Sequence, residues 1–144
     1  MPPSVRGIAR LLVMERAISI YLAKAGESLL SAESECSIGR YNSCANRCYY
    51  AAFQAAIAAL LRGGIRTAND RWPHEFVQST FAGQLINRRH RYPAALRSTL
   101  GDLQLLRNRA DYTTDVITQI EANRGLRRCR EFVTVIQQEG GETR

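Results

Sequence analysis

The chain has 144 residues, a length at which one domain with one buried core is the usual organisation. Hydrophobic residues make up 45% and charged residues 23%, as in soluble globular proteins, and no apolar run approaches the roughly 20 residues that span a bilayer. Lysine and arginine outnumber aspartate and glutamate by 20 to 13, which gives a formal charge of +7 and favours anionic partners. We therefore expect a soluble protein without a membrane partner.

The N-terminal apolar run does not resemble a signal peptide, because Arg10 and the Glu15-Arg16 pair interrupt it. The cysteines form no Cys-x-x-Cys pair and have no histidine at zinc-ligand spacing. They are Cys36, Cys44, Cys48 and Cys129. We expect a cytoplasmic protein with reduced thiols, no metal and no cofactor.

Apolar residues recur at spacings of three and four, which predicts helices throughout. The first helix is predicted from Ile8 or Glu15 to Ala32, and the polar stretch SESECSIG follows it. The second helix is predicted from near Arg40 to the Gly63-Gly64 pair, a common helix stop. One face of this second helix consists of small residues, which allow neighbouring helices to approach closely. We therefore expect it to be the central helix of a bundle.

The second half of the chain predicts further helices in the same way. A third helix is predicted over about 73–87, and the basic loop NRRHRYP follows it. A fourth helix is predicted over about 93–111, with a break at 113–115 after it. Thr118 and Glu121 form a predicted capping box for a last helix that ends near Gln138, and a flexible tail is expected over 139–144. The predicted fold is all-α, an up-and-down bundle of four to five helices. It forms a single domain over 1–144 with a core at about 15–138.

Two motifs stand in the predicted second and fourth helices. The first is Asn-Arg-x-Tyr-Tyr-Ala-x-Phe, from Asn46 to Phe53. The second is Arg-x-x-Ala-Asp-Tyr, whose spacing selects Arg107 rather than Arg109 as its arginine and ends at Tyr112. Together with WPHEFVQSTF at the start of the third helix, they resemble the HEPN superfamily over nearly the whole chain. The resemblance is closest to a subgroup with tyrosine where the HEPN ribonuclease signature, Arg followed by His, has histidine.

This resemblance implies a HEPN-like bundle that pairs into a homodimer and brings two copies of the motif together across a positively charged cleft. Many HEPN proteins are metal-independent ribonucleases, often toxins encoded beside a nucleotidyltransferase that neutralises them. In such proteins the signature arginine is expected to hold phosphate, and the histidine to assist attack by the 2'-hydroxyl or departure of the leaving group. The expected partners are therefore a second copy, RNA or a nucleotide, and a nucleotidyltransferase.

The tyrosine at position 112 weakens the expectation of catalysis. A tyrosine hydroxyl has an ordinary pKa of about 10, so very little of it is ionised near neutrality and Tyr112 is a poor unaided general base. Binding does not need that proton transfer: Arg107 can hold a phosphate, Asn108 can hydrogen-bond it, and Tyr112 can stack on a base. The predicted binding residues are Arg47, Tyr50, Arg107, Asn108, Asp111 and Tyr112.

His74 is the remaining candidate for the missing histidine, although a partly exposed residue in a first helical turn is the commoner role. His90 is expected in a solvated basic loop. The catalytic candidates are thus Arg107, Asn108, Tyr112 and His74.

Structural alternatives remain open for the two arginines. Arg107 and Asp111 are four residues apart and can form an exposed ion pair on one helix, with Tyr112 packed beside them. Arg47 can pair with Asp102 or Asp111.

Three hypotheses for the function follow. The first is a non-catalytic domain that binds RNA or a nucleotide, within a toxin–antitoxin or nucleotidyltransferase-associated system. The second is a metal-independent endoribonuclease with a non-standard active site. The third is a bundle that serves only protein contacts. We favour the first, because the usual acid and base residue is missing from its expected position.

Overall fold

The computed structural model describes residues 4–142, with side chains up to residue 139. Within this range the structure contains five helices and no strand, which confirms the predicted all-α class. The helices are α1 (Val5–Ser37), α2 (Tyr41–Arg62), α3 (His74–Thr80, continuing as a π-helix over Phe81–Arg88), α4 (Thr99–Tyr112) and α5 (Gln119–Glu142). None of the described helices combines the length and the apolar character needed to cross a membrane.

α1 is longer at both ends than predicted. Its first turn is capped by the hydroxyl of Ser4, which accepts a hydrogen bond from the backbone N–H of Gly7 at 3.0 Å. At the other end the helix continues to Ser37, through most of the stretch predicted as a polar connection. Serine and glutamate are compatible with a helix when one side of it is covered, and Ala32 on that side is fully buried. The chain then turns at Gly39, whose φ of 81° suits glycine.

α2 is the central helix, as its small-residue face predicted. It contacts α1, α3, α4 and α5. The small residues of this face have at most 1% of their surface exposed, and they include Ala45, Ala52, Ala55, Ala56 and Ala59. With methyl groups at these positions, the neighbouring helices approach the α2 backbone closely. The position of every other helix therefore depends on the size of these side chains.

The corner between α4 and α5 is closed by the predicted capping box. The hydroxyl of Thr118 accepts from the N–H of Glu121 at 3.2 Å, and the carboxylate of Glu121 accepts from the N–H of Thr118 at 3.2 Å. Arg109 also donates to this carboxylate. Hydrogen bonds from Arg109 and then from Thr118 lower the pKa of Glu121 to about 2. The side chain of Arg109 therefore stabilises the α4–α5 corner.

The third and fourth helices differ in detail from their predicted forms. The second half of the third helix, Phe81–Arg88, is π-helical. α4 begins at Thr99 rather than near Pro93, because a separate 3₁₀ turn, Ala94–Leu96, follows the proline. Leu96 on this turn is buried, so the segment contributes to the core without being part of α4.

α5 continues to Glu142, past the predicted end near Gln138. Its last turns are anchored because the carboxylate of Glu139 accepts from Arg62 at 3.2 Å and from Arg91 at 2.5 Å. These contacts join α5 to the end of α2 and to the basic loop. The last two residues of the predicted tail, 143 and 144, lie outside the described part of the chain.

We predict that Ala56→Leu lowers the free energy of unfolding by about 1–3 kcal/mol, because a larger side chain on the buried face of α2 forces its neighbours apart. Denaturant-induced unfolding followed by circular dichroism measures the change. Ala23→Leu, at an exposed position of α1, is the matched control and should change stability by less than about 0.5 kcal/mol. Equal stability of the two variants would contradict close packing around α2.

Candidate functional site

A buried guanidinium group lies where α2 meets α4. Arg107 has only 8% of its surface exposed. Its central carbon lies 5.1 Å from the ring centroid of Tyr49 and 5.5 Å from those of Tyr50 and Tyr112. Its Nη1 donates to the Tyr50 hydroxyl at 2.7 Å, and its Nη2 donates to Asn108 Oδ1 at 3.0 Å. We call these five residues the arginine–tyrosine cluster.

The positive charge of Arg107 has no acidic partner among the described side chains. Asp111 is one turn away on α4, but its carboxylate accepts instead from Asn46 on α2, at 2.8 Å. The alternative in which Arg107 and Asp111 form an exposed ion pair is therefore wrong, because both residues are directed toward α2 partners. The Nε of Arg107 is buried and has no hydrogen-bond partner among the described residues. The ring contacts, worth about 0.5–2 kcal/mol each, replace only part of the lost hydration.

Arg47 brings a second guanidinium to the edge of the cluster, with its central carbon 5.2 Å from the Tyr50 ring centroid. Its Nε and Nη2 both donate to Asn46 Oδ1, at 3.0 and 2.8 Å. The two acids considered as its partners are engaged elsewhere: Asp111 with Asn46, and Asp102 with an arginine of α5. Since Arg47 forms no ion pair with any described residue, its charge can bind an anion.

An open groove of about 500 Å³ lies beside the cluster, between the end of α1 and the first turns of α2. Its lining is polar and consists of Ser31, Glu35, Asn42, Ser43, Asn46, Arg47 and Asp111. Arginine suits phosphate, whereas carboxylates suit the amino groups of nucleobases. The groove thus combines the groups that bind the two ends of a nucleotide.

His74, the first residue of α3, contacts the cluster from another helix. Its Nδ1 lies 2.5 Å from the Tyr49 hydroxyl, and its ring stacks on Phe53 with 4.5 Å between centroids. Burial, and then the charge of Arg107, lower the pKa of His74, so its imidazole is neutral at neutral pH. His74 is partly exposed in the first turn of α3, as the commoner role predicted, and tertiary packing also brings it into contact with the cluster.

The tautomer of His74 follows from the state of Tyr49. Burial, the largest cause, raises the pKa of Tyr49, so this tyrosine keeps its proton. The hydroxyl oxygen already accepts from Gln78 Nε2 at 3.5 Å, and His74 Nδ1 is the nearest described acceptor for the hydroxyl hydrogen. In that arrangement Tyr49 donates to Nδ1, and the remaining proton of the neutral imidazole is on Nε2. His74 is then a hydrogen-bond donor at Nε2 rather than a ready proton acceptor.

Comparison with known families decides the family of the chain. A model of the HEPN domain matches residues 18–139. The chain belongs to the HEPN family. A search of curated proteins found no significant match. Membership indicates a role connected with RNA or nucleotides, or a nuclease-like role, as the sequence motifs predicted.

The remaining predicted residues of this HEPN domain take up different positions. Tyr112 is at the rim of the cluster and is 72% exposed, whereas Tyr49 is fully buried and belongs to the core. His90 is exposed in the basic loop.

Cys44 and Cys48 are buried on α2, with 3.9 Å between their sulfur atoms. Among the residues with described side chains, no group of histidine, cysteine, aspartate or glutamate is arranged to hold a metal ion.

Sequence reasoning about the HEPN site missed two residues. Asn46 links Arg47 to Asp111, and its position directly before Arg47 in the first motif was a usable signal. Gln78 on α3 donates to Tyr49 and, at 2.6 Å, to Gln104 on α4. No sequence signal indicated Gln78, because its role depends on how α3 packs against α4.

We predict that the imidazole of His74 titrates below its ordinary pKa of 6.5 in NMR spectra recorded against pH. Arg107→Gln should raise this pKa, because it removes the nearby positive charge. Arg127→Gln, at an exposed position of α5, is the control and should leave it unchanged. A titration of His74 at or above 6.5 would contradict the burial described for this ring.

The lowered pKa of His74 also determines the direction in which stability changes with pH. As pH falls below 6.5, the unfolded chain takes up the His74 proton before the folded chain does, so the fold loses stability toward acid. His74→Gln should lose less stability over this interval.

Proposed function

We propose that this HEPN domain binds RNA or a nucleotide at the groove and the arginine–tyrosine cluster. The observation that carries this proposal is the position of Arg47. Its guanidinium lines the open groove, forms no ion pair with a described residue, and lies over the ring of Tyr50, against which Arg107 is also packed. Two guanidinium groups thus lie near one another without an ion-pair partner, which favours a phosphate beside them, whereas the carboxylates of Glu35 and Asp111 in the groove lining favour the amino groups of a base.

The two arginines have different roles in this proposal. Arg47 is the residue that contacts phosphate, because it has access to the groove. Arg107 is mostly buried, so it acts by holding the tyrosines in place and by contributing its positive field. The resemblance had implied instead that Arg107, as the motif arginine, holds the phosphate. Tyr112 is exposed at the rim, where its ring can stack on a base for about 1–3 kcal/mol.

A metal-independent endoribonuclease is the second candidate, favoured by the contact of His74 with the cluster. A protonated Nε2 can donate to a phosphate oxygen or to a leaving group, but cleavage also needs a group that removes the proton of the 2'-hydroxyl. His74 is not in the tautomer for that step, and no other histidine contacts the cluster among the described residues. For this reason we favour binding over cleavage.

We also propose that the domain acts as a cytoplasmic homodimer. Large apolar side chains are exposed on the C-terminal part of α4, on the segment that follows it and at the start of α5. They are Leu105, Tyr112, Val116 and Ile120. Leu105 and Tyr112 are seven residues apart and so share one face of α4. A second copy that packs on Leu105 would bring the two clusters toward each other and leave Tyr112 at the edge of the interface, where its ring remains accessible to a base.

The biological setting that fits this proposal is a toxin–antitoxin or other nucleotidyltransferase-associated system. HEPN family membership together with the site supports this part of the proposal. A minimal nucleotidyltransferase encoded by the neighbouring gene would support this setting.

We predict that the purified protein binds labelled single-stranded RNA with a strong salt dependence and does not cleave it, with or without EDTA. Arg47→Ala should weaken binding about tenfold and reduce the salt slope by about 1, because one phosphate contact is lost. Filter binding at several salt concentrations measures both quantities. Arg127→Ala removes an exposed arginine of α5 and should change affinity by less than about twofold.

The same assay with Arg107→Ala and His74→Ala distinguishes the other hypotheses, provided that circular dichroism shows each variant to be folded. If the wild-type protein cleaves the RNA in the presence of EDTA and His74→Ala does not, the protein is an endoribonuclease. Unchanged RNA binding in both Arg47→Ala and Arg107→Ala would exclude this site, and the hypothesis of a protein-contact bundle would gain.

We predict that the wild-type protein sediments as a dimer and that Leu105→Asp sediments as a monomer, because a carboxylate on the shared face of α4 opposes its burial. Leu30→Asp is a matched control, since Leu30 on α1 is 66% exposed and Leu105 is 65% exposed. It should remain a dimer. A monomeric wild-type protein would contradict pairing through α4.

A further inference from the structure

A second surface lies at the opposite end of the bundle. α1 has 33 residues and α2 has 22, which correspond to about 50 Å and about 33 Å of helix. The two helices are joined by a short turn at 38–40, so the N-terminal turns of α1 extend beyond the end of α2. Ala17 is the first hydrophobic residue of α1 that packs against the core. The turns before it have no helix packed on their outer side in the described structure.

These turns of α1 expose a concentration of large apolar side chains. Val5, Leu11, Leu12 and Val13 are between 56% and 84% exposed. A single exposed leucine is ordinary on a protein surface, but several within three turns of one helix indicate an interaction site.

A concave groove of about 280 Å³ continues this apolar surface, between α1 and the segment that joins α2 to α3. Val13, Ile20 and Tyr21 form its α1 wall, with Leu61 and Trp72 on the other side. Polar groups are confined mainly to Lys24, Arg66, Thr67 and Asp70. An apolar side chain of a partner can therefore be buried in the groove while cations remain near it.

Charge identifies the kind of partner. Arg6, Arg10 and Arg16 lie on the extended part of α1 with one acid, Glu15. At the groove, Lys24 and Arg66 outnumber Asp70. An excess of positive charge around an apolar surface is complementary to a partner that carries acidic residues beside its apolar ones.

We propose that this surface docks an acidic amphipathic helix of a partner protein. The exposed apolar turns are too extended for a small molecule, whereas a helix can lie along α1 and insert a side chain into the groove. A second copy of the chain would bring the same excess of cations, so the two positively charged surfaces would repel each other. A membrane surface would cover the exposed turns but would leave the concavity unfilled. The site is separate from the groove at Arg47, so it does not depend on RNA binding.

The test uses the full-length protein and a synthetic helical peptide of about 18 residues, with leucines on one face and glutamates on the other. Trp72 is the only tryptophan of the chain and lines the groove, so its fluorescence reports occupancy. A second peptide has lysine in place of every glutamate, and a third is a scramble without an apolar face. We expect saturable binding of the acidic peptide, about tenfold or more tighter than binding of either control peptide.

Two variants locate the binding. We expect Val13→Asp to weaken binding of the acidic peptide by about tenfold or more, and the double variant Lys24→Glu with Arg66→Glu to do the same. The control Arg127→Glu on α5 should change this affinity by less than about twofold. Since these side chains are at the surface, we expect all three variants to remain folded, with circular dichroism as the check.

Three kinds of result would overturn the proposal. The first is equal binding of the acidic and basic peptides, or affinity that none of the groove variants changes. The second is a sedimenting dimer that Val13→Asp dissociates, which would make a second copy the occupant. The third is Val13-dependent binding to vesicles of anionic lipid without peptide binding, which would make the surface a membrane contact.

Discussion

The close approach of helices to α2 is the constraint on which the rest of the structure depends. Methyl side chains along this helix allow α1, α4 and α5 to pack near its backbone. Only at that separation do Tyr49 and Tyr50 on α2 reach Arg107 on α4, and Asn46 reach Asp111. Larger side chains on the α2 face would separate these partners. The packing of the core and the geometry of the site thus have the same origin.

The burial of Arg107 without an acidic partner also affects residues on other helices. Its charge is stabilised by tyrosine rings and the Tyr50 hydroxyl, which are uncharged, so the surroundings remain positive. Burial is the larger cause of the lowered pKa of His74, and this positive field lowers it further. The field also favours an anion near Arg47. A carboxylate paired with Arg107 would remove both effects, so the direction of Asp111 toward Asn46 matters for the proposed anion site as well as for packing.

The two ends of the bundle present different chemistry. The end that contains the start of α2 has the polar groove and the two guanidinium groups. The end that contains the start of α1 has exposed apolar residues beside the groove at Trp72. Since α1 and α2 form the framework of both, the proposed RNA ligand and the proposed protein partner would not compete for residues.

The sequence by itself determined the helical class, the central position of α2, the capping box at Thr118 and the family, because each depends on local spacing or on a contiguous motif. It also selected Arg47 and Arg107 as candidates. Only the tertiary structure decided that Arg47 faces the groove while Arg107 is buried, and that His74 meets Tyr49. Those outcomes depend on contacts between helices far apart in sequence, and helical periodicity indicates which face is buried but not which residue it meets.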